Sequence, residues 1–429
     1  MPARRAPGSP SCTTRCSMRD GHGRPQPVGR KVIVAAANYW GSPITTGSHH
    51  YAHHFAQAGW DVAYLSDQIS PLHLLRWKSR MYTADKFRLW ARGGVRALDG
   101  RLFAYNHLTL LPVFGAPLLR SEFVARWSLD VTVPNLMRKL EREGFGSPDV
   151  LMVDHLIFAD LLDRVRAGAT LYRMADDPRR FPEAYPAPML ARVERLLRDV
   201  DLVVATARRL YDSITQRRKE GVLYIPNGVN YDHFARPPGP PPPEYAMIPE
   251  PRVVFTGSLE GWFDDELLEE VARQRPDISF VVIGPARIPM RGLRRLRNVH
   301  ILGRRSYDDL PAYLAHAQVG IIPYRVSEPT NAVNPLKLYE YLAAGLPVVA
   351  TAWDELEHMQ PPALLARGAA DFGAALDSVL EDPGDPGVRR AYAREHSWEA
   401  RFAVICDALG LDPSNVYGNP VGADRPQDA

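Results

Sequence analysis

The chain has 429 residues, of which 45% are hydrophobic and 24% charged, and its formal net charge is +3. This length exceeds what one hydrophobic core usually serves and suits two domains, while the small net charge argues against a nucleic-acid partner. No apolar run approaches the ~20 residues that a membrane-spanning helix needs, and three cysteines are too few for a disulfide framework, which favours a reducing cytoplasm.

Composition divides the chain into two domains, two tails and a linker. Residues 1–30 are rich in Arg, Pro, Gly and Ser and lack the apolar stretch of a secretory signal, so they are predicted to be a disordered tail, as is the polar segment 411–429. Residues 236–250 begin with a run of prolines, which lack amide donors and favour an extended chain, and we place a linker there. The two predicted domains are therefore residues 31–235 and 251–410.

The predicted elements of the first domain alternate between strand and helix. The apolar run Lys31–Ala37 predicts a strand, the turn-rich segment after it predicts a loop, and Ser48–Ala58 predicts a helix that Gly59 ends. Further short apolar runs follow, with segments long enough for crossover helices between them. These runs begin at Asp61, Val150, Thr170, Leu202 and Val222. Alternation of this kind predicts a parallel, Rossmann-like α/β domain.

The same alternation restarts after the prolines. Apolar runs that predict strands begin at Arg252, Ile278, Val299, Val319 and Pro347. Helices are predicted over 265–273, 307–316 and 335–344, and Gly345 ends the last of them. The sequence therefore predicts a second Rossmann-like domain with a parallel sheet.

The segment from Asn334 to Thr351 reads Asn-Pro-Leu-Lys-Leu-Tyr-Glu-Tyr-Leu-Ala-Ala-Gly-Leu-Pro-Val-Val-Ala-Thr. It closely resembles the donor-binding helix and following strand of glycosyltransferases with the GT-B architecture, in which two Rossmann-like domains face each other across a cleft. Proline suits a first helical turn, so the amides of Leu336 and Lys337 lie at a positive helix end, where a diphosphate is stabilised, and Lys337 adds a cation. The resemblance implies that Glu340 binds donor ribose hydroxyls; the alternative is a helix ion pair with Lys337.

Further positions in the second domain are candidate donor contacts. Gly257 and Ser258 follow the first strand of this domain, where a glycine lets a phosphate approach the backbone closely. Arg304 follows the strand that begins at Val299 and lies beside the donor base in the resembling fold, and Tyr324 ends a strand that faces the predicted cleft. A plain structural turn at Gly257 and a surface arginine at Arg304 are the alternatives.

Asp176 is the candidate catalytic base. It follows the strand that begins at Thr170, and ligand crevices form beyond the carboxyl ends of strands in open α/β sheets. The stretch around it resembles the region that bears the catalytic aspartate in the xanthan glucuronosyltransferase family, and the resemblance extends to Ser48-His-His-Tyr-Ala-His-His-Phe and Asn227-Gly-Val-Asn. The residue aligned with that aspartate is Asp176, and a helix N-cap is the alternative role.

Departures from the related patterns bear on mechanism and donor. Many retaining members carry a glutamate eight residues before Glu340, where this chain has Ala332; Glu328 could substitute only if its loop folded differently. This departure argues against a retaining mechanism and makes an inverting one plausible, in which Asp176 removes the acceptor proton, and it leaves the stereochemical outcome open. The xanthan family's methionine beside the donor-site lysine is Leu336 here, and its glutamine is Glu340, which leaves the donor sugar open.

His49 and His50 are the candidate acceptor contacts, because the loop and helix after the first strand face the acceptor in GT-B enzymes. Packed or solvent-facing histidines are the alternative. No Asp-x-Asp motif stands at a donor-site position and no third ligand accompanies the histidine pairs of this helix, so no metal site and no cofactor are expected. Basic and aromatic residues alternate between Arg76 and Arg101, which is typical either of contact with an anionic membrane or of a solvated helix face.

These residues predict a glycosyltransferase, of the hexosyl- or glucuronosyltransferase type, that uses a nucleotide diphosphate sugar with UDP as the expected nucleotide. The expected acceptor is a saccharide or a lipid-linked saccharide in the synthesis of a cell-surface polysaccharide. The expected location is the cytoplasm. If the basic and aromatic segment contacts an anionic membrane, the expected location is the inner face of the plasma membrane. Two alternatives keep the fold and change the activity: a nucleotide-sugar epimerase, and a non-catalytic nucleotide-sugar sensor or partner subunit.

Overall fold

The computed structural model describes residues 29–42, 44–75, 83–112, 119, 121–180, 185 and 187–411. The predicted tails, apart from their innermost residues, and residues 76–82 of the basic and aromatic segment lie outside the described residues. Within them the chain forms two α/β domains, each built on one sheet, which confirms the predicted fold class.

The sheet of the first domain has parallel central strands. Within the described residues its strands are β1 (Lys31–Ala36), β2 (Asp61–Ile69), β3 (Val95–Ala97), β4 (Leu102–Thr109), β5 (Thr132–Val133), β6 (Val150–Val153), β7 (Ala169–Met174), β8 (Leu202–Ala205) and β9 (Val222–Tyr224). They lie in the order β3-β4-β2-β1-β6-β7-β8-β9, and β5 pairs with β4. Only the short strands β3 and β5, among those described, run antiparallel to their neighbour β4. The run Leu102–Thr109 is buried throughout and went unpredicted, because a fully buried run has no period that separates strand from helix.

The sheet of the second domain is parallel throughout its described strands. These are β10 (Arg252–Thr256), β11 (Ser279–Ile283), β12 (Val299–Gly303), β13 (Val319–Ile322), β14 (Val348–Thr351) and β15 (Leu364–Ala366), in the order β12-β11-β10-β13-β14-β15. The order reverses direction between β10 and β13, and crevices open at the carboxyl ends of strands at such a point. The predicted second Rossmann-like domain is confirmed.

Helices connect the strands and cover both faces of the two sheets. The described helices are α1 (Gly47–Gln57), α2 (Leu72–Leu75), α3 (Thr83–Ala91), α4 (Glu122–Trp127), α5 (Leu136–Arg142), α6 (Leu161–Arg164), α7 (Ala187–Asp199), α8 (Arg208–Thr215), α9 (Tyr231–Phe234), α10 (Asp265–Gln274), α11 (Leu310–Ala315), α12 (Leu336–Ala344), α13 (Asp354–Met359), α14 (Gly368–Glu381), α15 (Pro386–Glu395) and α16 (Trp398–Ala408). The helix predicted over 307–316 is a 3₁₀ turn, Tyr307–Asp309, followed by α11, whose second residue is Pro311. Proline fits the first turn of an α-helix, where no amide donor is needed.

Strand β1 shows why the strands of the first domain are continuous apolar runs. Ile33 and Ala35 belong to the core on one face of the sheet, and Val32, Val34 and Ala36 belong to the core on the other face. Successive side chains of a strand point to opposite faces, so a sheet covered on both sides needs apolar residues at every position.

The last helix, α16, packs on the first domain rather than on the second. Trp398, Phe402 and Cys406 are buried in the core that also contains Tyr51 and Phe55 of α1. The predicted second domain extended to residue 410, and the structure differs because the apolar face of α16 is complementary to α1. A periodic apolar stripe shows that a helix is partly buried, but it does not show against which domain.

The chain crosses between the domains at two adjacent places. Ile225 belongs to a core of the first domain, whereas Val229 belongs to the core of the second. The return crossing precedes α16, and the two segments are paired, since the Val229 amide donates to the His396 carbonyl at 3.2 Å and the Trp398 amide donates to the Val229 carbonyl at 3.0 Å. The segment 236–250, predicted as the linker, packs on the second domain: Pro242 is buried and Tyr245 lies in its core, although the other prolines of the segment are exposed.

Candidate active site

A cavity of about 720 Å³ opens between the two domains. Its lining comes from the carboxyl ends of β7, β10, β11 and β13, the start of α12 and the loops beside them. The lining includes Asp176 from the first domain and every predicted donor contact: Gly257, Ser258, Arg304, Tyr324, Leu336, Lys337 and Glu340. The structure therefore brings together eight of the ten residues singled out in the sequence.

One end of this cavity is positively charged. The first residues of α12, Leu336 and Lys337, line it, and Pro335 is the N-cap of the helix. The first amides of a helix have no partner inside the helix and carry its positive dipole end. The Lys337 ammonium group adds a full charge and donates to the Tyr324 hydroxyl at 2.7 Å. Helix end and ammonium group together form a site for a diphosphate.

Two glycines allow this corner to be compact. Gly257 has φ +138° and Gly284 has φ +149°, backbone conformations that other residues adopt at a cost. A Cβ atom on Gly284 would lie 1.8 Å from the Gly257 carbonyl oxygen. Sequence reasoning missed Gly284, although it ends a predicted strand as Gly257 does, and that position was a usable signal.

Gly257→Ala is expected to weaken donor binding about tenfold or more and to lower Tm. The new Cβ would lie 2.3 Å from Cε of Lys337, so the ammonium group must move. Gly261→Ala is the matched control, because Gly261 lines the same cavity and a Cβ there meets nothing within 4 Å. Nucleotide titration by calorimetry, with thermal unfolding, measures both effects; equal behaviour of the two variants would contradict the close approach at Gly257.

Glu340 lies in the same cavity, beyond Lys337 along α12. Burial raises the pKa of Glu340 to about 7, although the positive charge of Lys337 opposes this. The described ion pairs include none between these two side chains, so the predicted alternative of a helix ion pair is absent from them. A carboxylate in this position is free to accept hydrogen bonds from ligand hydroxyl groups.

Replacing Glu340 by Gln is expected to raise Tm at pH 8 by roughly 2–4 °C and to weaken donor binding. A carboxyl whose pKa rises on folding, here to about 7, destabilises the folded state as pH rises from its unfolded value through the folded one. The Tm difference between variant and wild type should therefore shrink toward pH 5. A Tm difference that does not change with pH, measured by thermal unfolding in matched buffers, would rule out the ionisation of Glu340 as its cause.

The far end of the cavity is lined by Arg304, Arg305, Tyr307 and Leu310, all beyond the end of β12. Arg305, which sequence reasoning did not single out, is fixed by Glu244 at 2.5 Å and donates to the Tyr313 hydroxyl at 2.7 Å. Arg304 borders the cavity as predicted. Apolar and aromatic side chains beside guanidinium groups make this end suitable for a planar base.

Asp176 lies on the opposite wall and also lines a second cavity of about 410 Å³, which belongs to the first domain. Its side chain is exposed to the cleft, and the walls of the two cavities lie around it. Burial raises the pKa of Asp176, the positive charge of Arg173 lowers it, and the negative charge of Asp154 raises it further. The N-cap alternative does not fit, because Asp177 accepts the hydrogen bond from the Arg179 amide at 3.0 Å.

Glu328 points away from the cavity. Its side chain is 64% exposed and pairs with Arg180 and, at 3.0 Å, with Arg209, both of the first domain. Hydrogen bonds from these arginines lower the pKa of Glu328. Ala332, at the position of the glutamate of retaining relatives, is buried. The loop thus does not bring Glu328 to the place where that glutamate would act.

Neither His49 nor His50 lines either cavity, and their contact with the acceptor stays a prediction. His49 is buried against Tyr64 and Trp40, and one ring nitrogen lies 3.1 Å from the Tyr39 carbonyl. His50 stacks on Trp398 of α16 with ring centroids 4.9 Å apart. Burial lowers the pKa of both rings. The sequence did not predict that α16 packs on this helix, and this packing leaves the His50 ring half-buried.

The described part of the basic and aromatic segment has mostly internal partners. Lys86 pairs with Asp67, Arg88 pairs with Asp85, and Arg96 pairs with Glu143. These pairs agree with a solvated helix face; residues 76–82 lie outside the described part. No described helix is long and apolar enough to cross a membrane. In the same residues, no three His, Cys, Asp or Glu side chains form a group that could hold a metal ion.

Two family profiles match this chain, one in each domain. The profile described as Glycosyl transferases group 1 matches residues 250–382, which contain Gly257 and Lys337. The profile described as Glucuronosyltransferase GumK, N-terminal domain, matches residues 34–206, which contain Asp176. Each of the two domains thus resembles a domain of the glycosyltransferases. Both resemblances identified from the sequence motifs are confirmed.

Two curated relatives align with part of this chain. The putative teichuronic acid biosynthesis glycosyltransferase TuaH of Bacillus subtilis (strain 168) is 31% identical over 232 residues, covering 51% of this chain and 58% of TuaH. A GDP-mannose-dependent monoacylated alpha-(1-6)-phosphatidylinositol monomannoside mannosyltransferase of Corynebacterium glutamicum is 26% identical over 219 residues, covering 44% of this chain and 56% of that protein. The chain thus spans little more than half the length of either relative.

Solved structures with the same fold cover most of the chain. Anabaena HepE, in complex with UDP and glucose, superposes with a TM-score of 0.63 at 15% identity, covering 89% of this chain and 99% of HepE. Sucrose-phosphate synthase from Thermosynechococcus elongatus gives 0.59 at 17% identity, covering 88% and 98%. At these identities the likeness establishes the fold, and the predicted GT-B architecture is confirmed.

Proposed function

We propose that this chain transfers a sugar from a UDP-linked donor to a hydroxyl group of a saccharide or lipid-linked acceptor, with inversion at the anomeric carbon. The observation that carries the proposal is the position of Asp176, which borders both the donor cavity and the cavity of the first domain. A carboxylate at such a boundary can take the proton of a hydroxyl bound on one side as that hydroxyl attacks a sugar bound on the other.

The proposed step forms one bond and breaks one. The acceptor oxygen attacks the anomeric carbon, its proton passes to Asp176, and the bond from the anomeric carbon to the diphosphate oxygen breaks with its electron pair left on that oxygen. Negative charge therefore grows on the leaving diphosphate. The Lys337 ammonium group and the first amides of α12 lie at the positive end of the donor cavity and stabilise this charge, so we propose transfer without a metal ion.

The relatives' names support the nucleotide and the acceptor class. HepE was solved with UDP and glucose, TuaH is described for teichuronic acid biosynthesis, and the Corynebacterium protein is described for a phosphatidylinositol monomannoside. We therefore propose an acceptor in the synthesis of a cell-surface polysaccharide or glycoconjugate, and action in the cytoplasm at the inner membrane face. The transferred residue is a hexose or a hexuronate.

A non-catalytic nucleotide-sugar sensor is the second candidate function. The observation that favours it is Ala332, since the matching glutamate is present in many retaining relatives. It predicts nucleotide-sugar binding without turnover, whereas an epimerase would change the donor sugar without an acceptor. The ionisable Asp176 at the boundary of the two cavities favours transfer over both.

The test is a thermal-shift panel of UDP-, GDP- and dTDP-sugars, hexoses and hexuronates included, followed by nucleotide-release assays. A ligand of the native state raises Tm, and we expect UDP-sugars to give the largest rise. Release of UDP only when an alkyl glycoside or lipid-linked acceptor is present supports transfer. Binding without release would favour the sensor, and loss of activity in EDTA would overturn metal-independent catalysis.

A further inference from the structure

Asn227 lies in the first crossing between the domains and is hydrogen-bonded to both. Its side-chain oxygen accepts from Nη2 of Arg173 in the first domain at 2.5 Å. Its side-chain amide donates to the Asn334 carbonyl at 2.8 Å, and its backbone amide donates to the Asn334 side-chain oxygen at 2.9 Å, both in the second domain. One asparagine thus connects the two halves of the cleft.

The Arg173 end of this connection reaches the surroundings of Asp176. Arg173 is 4% exposed, and its Nη1 donates to Asp154 at 3.0 Å. Arg173, Asp154 and Asp176 all line the cavity of the first domain. The charged and titratable groups that share this cavity with Asp176 are Arg173, Asp154, His155, Tyr172 and Tyr185. Of these, Arg173 and Asp154 act on the pKa of Asp176, and Asp176 acts on the pKa of Tyr185. The position of the Arg173 guanidinium group therefore sets the electrostatic potential at the Asp176 carboxylate.

The Asn334 end reaches the donor helix. Asn334 is 4% exposed and directly precedes Pro335, the N-cap of α12. Its side chain also donates to Glu355 at 3.0 Å and accepts from the Tyr339 hydroxyl at 3.0 Å. The position of Asn334 thus fixes the start of α12, where the amides and Lys337 meet the donor diphosphate.

Arg173 and the crossing segment that contains Asn227 are closely surrounded by other atoms. A Cβ on Gly47, at the start of α1, would lie 2.7 Å from Nη2 of Arg173, and a Cβ on Gly228 would lie 2.9 Å from the His396 carbonyl oxygen. Buried polar groups that lose a partner are costly, so the two asparagines and Arg173 move together or not at all. A displacement at the start of α12 is therefore passed to Arg173.

We propose that Asn227 is a positioning residue that couples the donor helix to the catalytic carboxylate, by holding Arg173 beside Asp176 when α12 is in its donor-binding position. The proposal rests on the proposed function, in which Asp176 is the base. Asn227 contacts neither substrate in this scheme. It makes deprotonation of the acceptor depend on the position of the helix that binds the donor.

Asn227→Asp is the principal test. Aspartate still accepts from Arg173, but in place of the amide donor it presents an oxygen to the Asn334 carbonyl and adds a negative charge. That charge offsets the guanidinium and raises the pKa of Asp176, so the acid limb of the kcat profile moves to higher pH. We expect kcat to fall about tenfold at neutral pH, with the Kd for UDP within about threefold of wild type.

Asn227→Ser is the second variant, because it removes the amide without adding charge. We expect a comparable fall in kcat with a smaller shift of the acid limb to higher pH, because Arg173 loses a partner but no negative charge is added. Arg209→Ala is the matched control: Arg209 also bridges the domains, to Glu328 at 3.0 Å and Asp354 at 2.8 Å, but it is not bonded to Arg173 or Asn334. Its kcat profile should keep the wild-type acid limb.

The measurements are kcat against pH with the donor identified by thermal shift, and UDP binding by calorimetry. If Asn227→Asp keeps the wild-type acid limb and lowers kcat no more than Arg209→Ala, the coupling is overturned. If both asparagine variants lose UDP binding as well as turnover, Asn227 is a structural residue and the proposal is again overturned. A wild-type chain that binds UDP-sugars and transfers nothing would instead overturn the proposed function.

Discussion

Asp176→Asn is expected to lower kcat by about a thousandfold while donor binding is retained. Asparagine has nearly the shape of aspartate but cannot accept the acceptor proton, and a positioned general base contributes typically 10²–10⁴-fold. The residue borders the donor cavity without belonging to its positive end, so UDP affinity should stay within about threefold of wild type. Steady-state kinetics and calorimetric titration of UDP separate the two quantities.

The matched control for Asp176 is Glu328→Gln. Glu328 was the other carboxylate that the sequence offered for a catalytic role, and the structure shows it 64% exposed and paired with Arg180 and Arg209. Since exposed ion pairs contribute little, the variant should retain kcat within about twofold. Full activity in Asp176→Asn, or a large loss in Glu328→Gln, would show that the wrong carboxylate has been assigned.

Asp176 is also expected to determine how the activity of the wild-type chain depends on pH. Burial raises its pKa above the ordinary value for aspartate, and transfer requires the ionised form. Activity should therefore fall as pH drops through this raised pKa, at a higher pH than a fully solvated aspartate would give. An acid limb at the ordinary aspartate value would contradict this description of the site.

Lys337→Met is expected to reduce kcat/KM by about a hundredfold. The substitution keeps an unbranched side chain of similar length and removes the only charge that α12 presents in its described first turn. Loss of one preorganised group that stabilises developing negative charge typically costs 10²–10³-fold. Because the diphosphate is charged in the ground state and more so in the transition state, both KM for the donor and kcat should change.

Two further variants test whether the effect belongs to Lys337 itself. Tyr324→Phe removes the hydroxyl that accepts from Lys337 at 2.7 Å, and a loss of a few-fold is expected because the ammonium group remains. Arg287→Met removes a cation near the cavity that is 66% exposed and pairs with Glu260 at 3.3 Å, and it should change kcat/KM little. An equal loss in Arg287→Met and Lys337→Met would indicate a general charge effect.

The donor half of the site was predictable because each of its parts is a local feature and the parallel sheet brings the parts together. Lys337 and Glu340 lie within one turn of the same helix. Gly257 meets them because the carboxyl ends of parallel strands share one edge of the sheet. The same argument applies to Gly284, which sequence reasoning did not use.

The acceptor half depended on contacts between distant segments. His50 stacks on Trp398 of α16, more than 340 residues later in the chain, while His49 packs on Trp40 and Tyr64 of its own domain. The resemblance had already singled out Asp176, and the structure adds a physical difference between it and its neighbour Asp177. Asp177 is held at 2.8 Å by Arg179, whereas Asp176 faces the cleft.

The sequence by itself determined the two α/β domains and the donor-binding elements, because hydrophobic period, helix ends and glycine turns are properties of adjacent residues. The tertiary structure alone decided which domain α16 covers, that Glu328 leaves the cavity, and that Asn227 links Arg173 to Asn334. These outcomes depend on which surfaces of distant segments fit together and on which polar groups are buried in pairs. No short segment of sequence carries that information.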